Sequence, residues 1–213
     1  MTKWSDGIYL LGNFNQLKAG CWLLIHKKEA AILDMPTYEL SEFSPACCCS
    51  FLIEEGYNVR FLLSSHSHWD HFSLRTLQDF HKKFPTAMLY LSCQYQHIPP
   101  TIPTTYFQNE TVLDLGGEPL YLVHAPKHSL EDTIVIFRGT AMMGDWELNT
   151  IYSVHNDVTI EKRRISIERM MEFEKEKNYK IKRTFANHGN ERRDEVDFTE
   201  LMKDTLLERK LFD

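Results

Sequence analysis

With 213 residues, 43% of them hydrophobic and 25% charged, the chain has the size and make-up of one ordinary globular domain with a sizeable core, so residues 1–213 are read as a single domain. Its 30 acidic side chains outnumber 24 basic ones, giving a formal net charge of −6. That balance argues against a nucleic-acid partner, which is held by neutralising phosphates. No apolar stretch approaches the roughly 20 residues that span a bilayer, and the first residues lack the apolar core of a signal peptide, so the expectation is a cytoplasmic protein with no membrane partner.

In chain order, 7–12 and 21–26 read as strands, and 30–34 returns as a hairpin after the polar turn Lys27-Lys28-Glu29. Ser44-Pro45 offers an N-cap and a first helical residue, and Gly56 a stop, which predicts a helix over 45–55. This helix carries Cys47, Cys48 and Cys49. Adjacent thiols point in different directions and do not make the separated pairs of a structural zinc site. A helix N-terminus lowers a thiol pKa, so a reactive cysteine among the three stays open beside the plainer reading of half-buried structural residues. The odd total of five cysteines fits a reducing compartment.

A strand is expected over 59–65, a helix over 71–84 with Phe72, Leu74, Leu77 and Phe80 near helical spacing and Pro85 as the stop, and a strand over 87–92. The proline-rich 99–103 reads as a turn or rigid connection. Strands at 111–115 and 120–124 flank Gly116-Gly117, and strands at 133–137 and 140–143 flank Arg138-Gly139, each pair a hairpin. A long charged helix over 157–177 presents Ile160, Ile165, Ile167, Met170, Met171 and Phe173. Its cluster Lys162-Arg163-Arg164 is read as a solvated face. A strand at 181–186 and an amphipathic helix over 194–210, with Phe198, Leu201, Leu206 and Leu207 on its apolar face, close the chain. Two strand-rich halves, each with helices, predict a layered α/β architecture with helices outside a two-sheet sandwich.

The chemistry concentrates in Ser65-His66-Ser67-His68-Trp69-Asp70-His71. An extended backbone puts His66 and His68 on one side, where they grip one metal together. If the chain then turns into the helix near His71, Asp70 and His71 swing to a neighbouring position and hold a second ion. Imidazole and carboxylate are donors that zinc, iron and manganese accept. Four ligands do not complete two sites, and the chain offers His124, His128, Asp145, His155 and His188 besides, with His26, His81 and His97 as background.

The whole chain resembles the metallo-β-lactamase superfamily. The motif above is followed, in the family's order, by "HAPKHS" with His128, "MMGDW" with Asp145 and "FANHG" with His188, and preceded by "AAILDMP" with Asp34. The resemblance implies a four-layer αββα sandwich and two divalent metal ions, zinc ahead of iron or manganese. It implies His66, His68 and His128 as ligands of the first metal, Asp70, His71 and His188 as ligands of the second, Asp145 bridging them, and Asp34 orienting a ligand. The chain departs from the pattern at Lys127, where the family commonly has glycine, which puts the shape of that loop in question. His124, at the end of an apolar strand, is read as flanking, and His155 as a surface histidine with substrate contact as the alternative.

The chemistry implied is that of a hydrolase for a small-molecule substrate. A hydroxide held between the ions attacks a carbonyl, and Asp70 is the catalytic residue that both ligates and orients the nucleophile. The chain ends soon after His188, without the helical extension of glyoxalase II-type thioesterases or the extra domain of the family's nucleases, so a small ester, thioester, lactone or lactam is expected. Trp69, Trp146, Tyr106, Phe107 and Tyr152 fall beside the motifs as candidate pocket walls, each also a candidate core residue. Two other readings are an iron-dependent oxidoreductase of the persulfide dioxygenase type and a non-catalytic binding member of the fold. The histidine at 68, where flavodiiron relatives typically carry glutamate, and the full ligand set favour the hydrolase. The oligomeric state is left open.

Overall fold

The structure, a computed structural model, describes residues 1–39, 43–95, 98 and 101–209. Strands β1 (Thr2–Ser5), β2 (Ile8–Phe14), β3 (Ala19–His26), β4 (Glu29–Leu33), β5 (Asn58–Leu63), β6 (Met88–Ser92) and β7 (Thr104–Phe107) form one sheet in sequential order. Pairing is antiparallel up to β4 and parallel from there to β7. The second sheet contains β8 (Glu110–Leu115), β9 (Glu118–His124), β10 (Thr133–Phe137), β11 (Thr140–Met142), β12 (Arg183–Phe185) and β13 (Arg192–Asp194), in the order β13-β12-β11-β10-β9-β8. Only the β11–β12 pair is parallel. Four helices complete the described chain: α1 (Ser50–Glu54), α2 (Leu74–Lys83), α3 (Ile160–Lys177) and α4 (Phe198–Thr205).

The side-chain alternation of single strands shows the layering. On β3, Cys21 and Leu23 pack with Leu52, Leu77 and Phe80 of α1 and α2, whereas Trp22 and Leu24 face the other sheet. On β10, Val135 and Phe137 meet that same inter-sheet core, while Ile134 and Ile136 pack with Ile167, Met170, Phe198 and Leu201 of α3 and α4. Three apolar interfaces therefore separate four layers, an αββα sandwich. Each fully buried Leu, Val or Phe contributes about 1.5–3 kcal/mol. No helix among the described residues is long and apolar enough to cross a membrane.

The expected hairpins are present, and in the β10–β11 turn Arg138 and Gly139 both have positive φ (49° and 71°), the twist that suits a two-residue connection. Several expectations are corrected. The segment 45–55 begins as a 3-10 turn, Pro45–Cys49, capped by Ser44, before α1 takes over. Within it Cys47 and Cys48 are exposed and Cys49 buried; burial pushes the Cys48 thiol up and the Cys49 thiol up to about 12, away from reactivity. The strand expected to reach residue 65 ends at Leu63, so His66 and His68 lie in a loop. Helix α2 starts at Leu74 rather than 71, because the Met35 amide donates to the His71 carbonyl and the Ser73 amide to the Met35 carbonyl, holding this stretch extended. Ile160 and Ile165 are exposed on α3, whose inner face instead buries Arg163 and Ser166. Residues 192–194 form β13, so α4 begins at Phe198 with Asp197 as its cap. His97, Pro99, Pro100 and Lys210 lie outside the described residues.

Candidate metal centre

Five loops meet at one edge of the sandwich, each following the C-terminal end of a strand: β4 leads to Asp34, β5 to 64–71, β9 to 125–132, β11 to Gly144-Asp145 and β12 to Asn187-His188. The crevice outside the carboxyl ends of the strands is where α/β sheets commonly bind ligands. Here the loops bring two donor clusters together. His66, His68 and His128 form one, and Asp70, His71, Asp145 and His188 the other, with all donor atoms in each within 4.8 Å of one another.

The two clusters adjoin through Asp145. Its Oδ2 lies 3.3 Å from Nε2 of both His71 and His188, and 3.8 and 3.9 Å from Nε2 of His66 and His128. Asp70 Oδ2 is 3.5 and 3.6 Å from the same atoms of His71 and His188. Nε2 of His128 stands 3.3 Å from Nδ1 of His68. Two atoms of these residues, His66 Nε2 and Asp145 Oδ1, are buried without a hydrogen-bond partner. Buried polar atoms are rarely left so. Imidazole nitrogens and carboxylate oxygens converging around orphaned atoms are a donor set that fits divalent cations.

Outer partners aim the rings. His71 Nδ1 lies 2.8 Å from Asp34 Oδ2, His66 Nδ1 3.0 Å from Ser65 Oγ, and His188 Nδ1 2.9 Å from the Leu17 carbonyl. Each contact takes the Nδ1 N–H and leaves Nε2 directed inward. Asp34 is fully buried and also accepts from the Ser65 amide at 2.7 Å, the Ser65 hydroxyl at 3.0 Å and Asn187 Nδ2 at 2.8 Å. Its φ of 65° is a left-handed conformation that aspartate tolerates better than most residues.

Among the protein's own charges, burial first, then neighbouring imidazoles, pushes His66 and His68 below their ordinary range and keeps them neutral. Burial opposes protonation of His71 too, but Asp34 and Asp145 outweigh it and raise that ring to about 10. Asp145 hydrogen-bonds His188 and raises it. Burial would raise the Asp145 carboxyl, yet His188 and His71 hold it far below the carboxylate range.

A second group of partners, in which sequence reasoning named Lys127 and Trp146 but not Asp132 or Glu147, shapes the wall behind His128. Asp132, buried, accepts from the amides of Lys127, His128 and Ser129 and from Trp146 Nε1. Lys127 has no positive φ and is itself fully buried, donating to Glu147 at 3.1 Å and to the Tyr152 carbonyl at 2.9 Å. The lysine therefore reflects a buried ammonium paired with a carboxylate rather than a distorted loop. Glu147 Oε1 is 3.5 Å from His128 Nδ1. The only hint of this in the sequence was lysine in place of glycine.

The centre opens into a cavity of ≈ 580 Å³ lined by Leu17, His68, Trp69, Asp70, His128, Asp145, His155, His188 and Asn190. Of the aromatic residues considered as walls, Trp69 lines it. Trp146 and Phe107 are core residues, Tyr152 packs against the α3–α4 core and Tyr106 is exposed on β7. His124 contacts the Leu130 carbonyl, apart from both clusters.

No protein-family signature matches the sequence, and no curated protein matches it. Solved structures do. The DIM-1 metallo-β-lactamase exposed to ceftazidime is 18% identical with a TM-score of 0.68, the match covering 96% of this chain and 93% of that one. A metallo-β-lactamase family protein from Thermus thermophilus is 15% identical with a TM-score of 0.61, covering 95% and 79%. The rubredoxin oxygen:oxidoreductase from Desulfovibrio gigas is 12% identical with a TM-score of 0.65, covering 96% and 60%. The chain has the metallo-β-lactamase fold, as its motifs led one to expect. A fold common to a lactamase and an oxidoreductase does not choose the reaction; the site does.

Proposed function

We propose that the chain is a metal-dependent hydrolase that cleaves a small acyl substrate, an ester, thioester, lactone or lactam. The observation that supports it most is the position of Asp145 Oδ2, within 3.9 Å of four imidazoles drawn from both clusters, at the floor of an open cavity. His66, His68 and His128 would hold one divalent cation and Asp70, His71 and His188 a second, with Asp145 between them; zinc suits these donors, with iron or manganese as substitutes. Such cations supply a hydroxide near neutral pH, by lowering the pKa of water from 15.7 to about 7, and polarise a carbonyl oxygen.

The chain's own residues do the rest. Asp34, Ser65 and the Leu17 carbonyl fix the rings, so that no reorientation is needed when charge develops. Asp70 lines the cavity, where its carboxylate accepts a hydrogen bond from the attacking water and orients it. The Asn15 side chain holds the Asp70 carbonyl at 3.1 Å and keeps that carboxylate in place.

Elemental analysis of purified protein with a panel of thioester, lactone, lactam and phosphodiester substrates tests the proposal. Two divalent ions per chain and acyl turnover are expected, and His68→Ala or Asp145→Ala should abolish turnover in a folded protein. Full activity in either variant, cleavage of phosphodiesters alone, or bound iron with oxygen consumption on a persulfide would overturn it. Purified protein with no metal would favour a binding role.

A further inference from the structure

The loop 147–155 is fastened in a way that its exposed surface does not require. Glu147 Oε1 accepts from the Ser153 hydroxyl and from the Val154 amide, each at 2.9 Å. Lys127, fully buried, holds the Tyr152 carbonyl, and Arg163, 2% exposed, donates through Nη2 to the His155 carbonyl. Burying a cation costs several kcal/mol unless it is well paired, and here two buried cations are used on the carbonyls of one short loop.

The loop ends in His155, an exposed residue whose ring lies against two members of the first cluster, the half-buried His68 and the buried His128. Its centroid is 4.7 Å from that of His68 and 4.6 Å from that of His128. The ring lines the cavity, and neither of its nitrogens hydrogen-bonds to any described residue. A surface histidine needs no such fixed backbone. A group that must meet a substrate oxygen does, because a donor counts toward catalysis only if it is already aimed at the place where charge develops.

We propose that His155 is a catalytic residue of this site: its ring N–H donates a hydrogen bond to the acyl oxygen of a substrate seated over His68 and His128. This rests on the hydrolase reading above. As the nucleophile's oxygen bonds to the acyl carbon, the carbonyl π electrons move onto the acyl oxygen, and the His155 N–H stabilises the charge there. When the bond to the leaving group breaks, the electrons return to the carbonyl, and the leaving group takes the proton that the attacking hydroxide carried, leaving a carboxylate. The imidazole keeps its own proton throughout. The buried Lys127 and Arg163 and the partly buried Glu147 act as positioning residues through the loop.

The test compares His155→Ala and His155→Gln, whose amide keeps an N–H donor, in metal-loaded protein. Loss of one such donor costs about 10²–10³-fold in kcat, so the alanine variant should fall by that factor with KM within about threefold, while glutamine recovers most of the loss. Metal content should stay unchanged. Independently of turnover, acetohydroxamate binding to cobalt-loaded protein, read from the visible absorption of the metal, should weaken about tenfold in His155→Ala. If the wild type cleaves no acyl substrate, the hydrolase reading fails and the hydroxamate titration alone decides whether His155 meets a ligand oxygen. Unchanged hydroxamate affinity overturns the proposal, as does an alanine variant with near-normal kcat, or one that loses metal and so shows His155 to be part of the cation site itself.

Discussion

Replacing Asp34 with asparagine isolates the charge at the centre of the ligand scaffold, because asparagine tolerates the left-handed φ of 65° as aspartate does. The carboxylate takes one donor on Oδ1, the Ser65 amide, and three on Oδ2, from Ser65 Oγ, His71 and Asn187. With its amide nitrogen in the Oδ1 position, asparagine keeps the three Oδ2 contacts but sets N–H against the Ser65 N–H. That buried amide is then unsatisfied, at about 1–3 kcal/mol, and the three remaining bonds lose their charge assistance. Relief of the buried charge offsets part of this, leaving a destabilisation of about 3 kcal/mol. The tie that orients His71 also weakens, and removing such an outer partner costs about 10–100-fold in metal affinity. Urea unfolding of metal-stripped protein and zinc competition against a chromogenic chelator measure the two effects separately. A variant as stable as wild type, with zinc affinity within threefold, would refute the role given to Asp34.

Lys127→Met leaves the partly buried Glu147 without its cation, and because some of the carboxylate meets solvent and three other donors still face it the loss should lie below that of a broken, fully buried pair, about 2 kcal/mol; adding Glu147→Gln should recover at least half of it in urea unfolding. The Glu147 carboxyl gives a pH signature: burial would raise it, but the His128 ring, Lys127 and the Val154 amide hold it at about 2 against an ordinary 4.5. A depressed carboxyl contributes stability that is complete above the unfolded value and is lost as pH falls from about 4.5 through about 2, here about 3 kcal/mol; the difference between wild type and Glu147→Gln should shrink across that window, and a difference that does not change would count against the pairing. Gly20→Ala would put a Cβ 2.2 Å from the Asn187 carbonyl oxygen and 2.7 Å from Trp22 Nε1, overpacking worth about 3 kcal/mol, visible as a lower thermal midpoint together with weaker zinc binding.

The central strands and the four donors of 66–71 in the candidate centre were legible because each carries its reason locally. Buried strands such as β3 and β10 are apolar runs bounded by turns, and the donors after β5 sit within six residues of one another. The strands that sequence reasoning missed, β1, β7 and β13, are all sheet edges. An edge strand needs a backbone partner on one side only, so Lys3 or Arg192-Arg193 can occupy it without any alternating apolar signal. Helix starts were misplaced where a distant contact decided them, as Met35 does at 71–73. Asp132, Glu147 and Asn187 went unnoticed because their role lies in partners from other loops: nothing near Asn187 in the sequence says that its Nδ2 reaches Asp34, 153 residues away, while its Oδ1 takes the Gly144 amide.

Those long-range contacts make the two clusters unequal in what holds them. Asp34 reaches His71 directly and His66 through Ser65 Oγ, one ligand from each cluster, and through Asn187 it is tied to the turn that carries Asp145. Glu147 faces His128 alone, a member of the first cluster. If each cluster holds a cation, the two carboxylates should therefore leave different marks on a zinc titration. Asp34→Asn should weaken both binding steps together, since each loses an aimed imidazole, whereas Glu147→Gln should weaken one step and leave the other within about threefold. Equal effects of both variants on both steps would mean that coupling runs through Asp145 itself, whose Oδ2 touches both sets of rings, rather than through the carboxylates behind them.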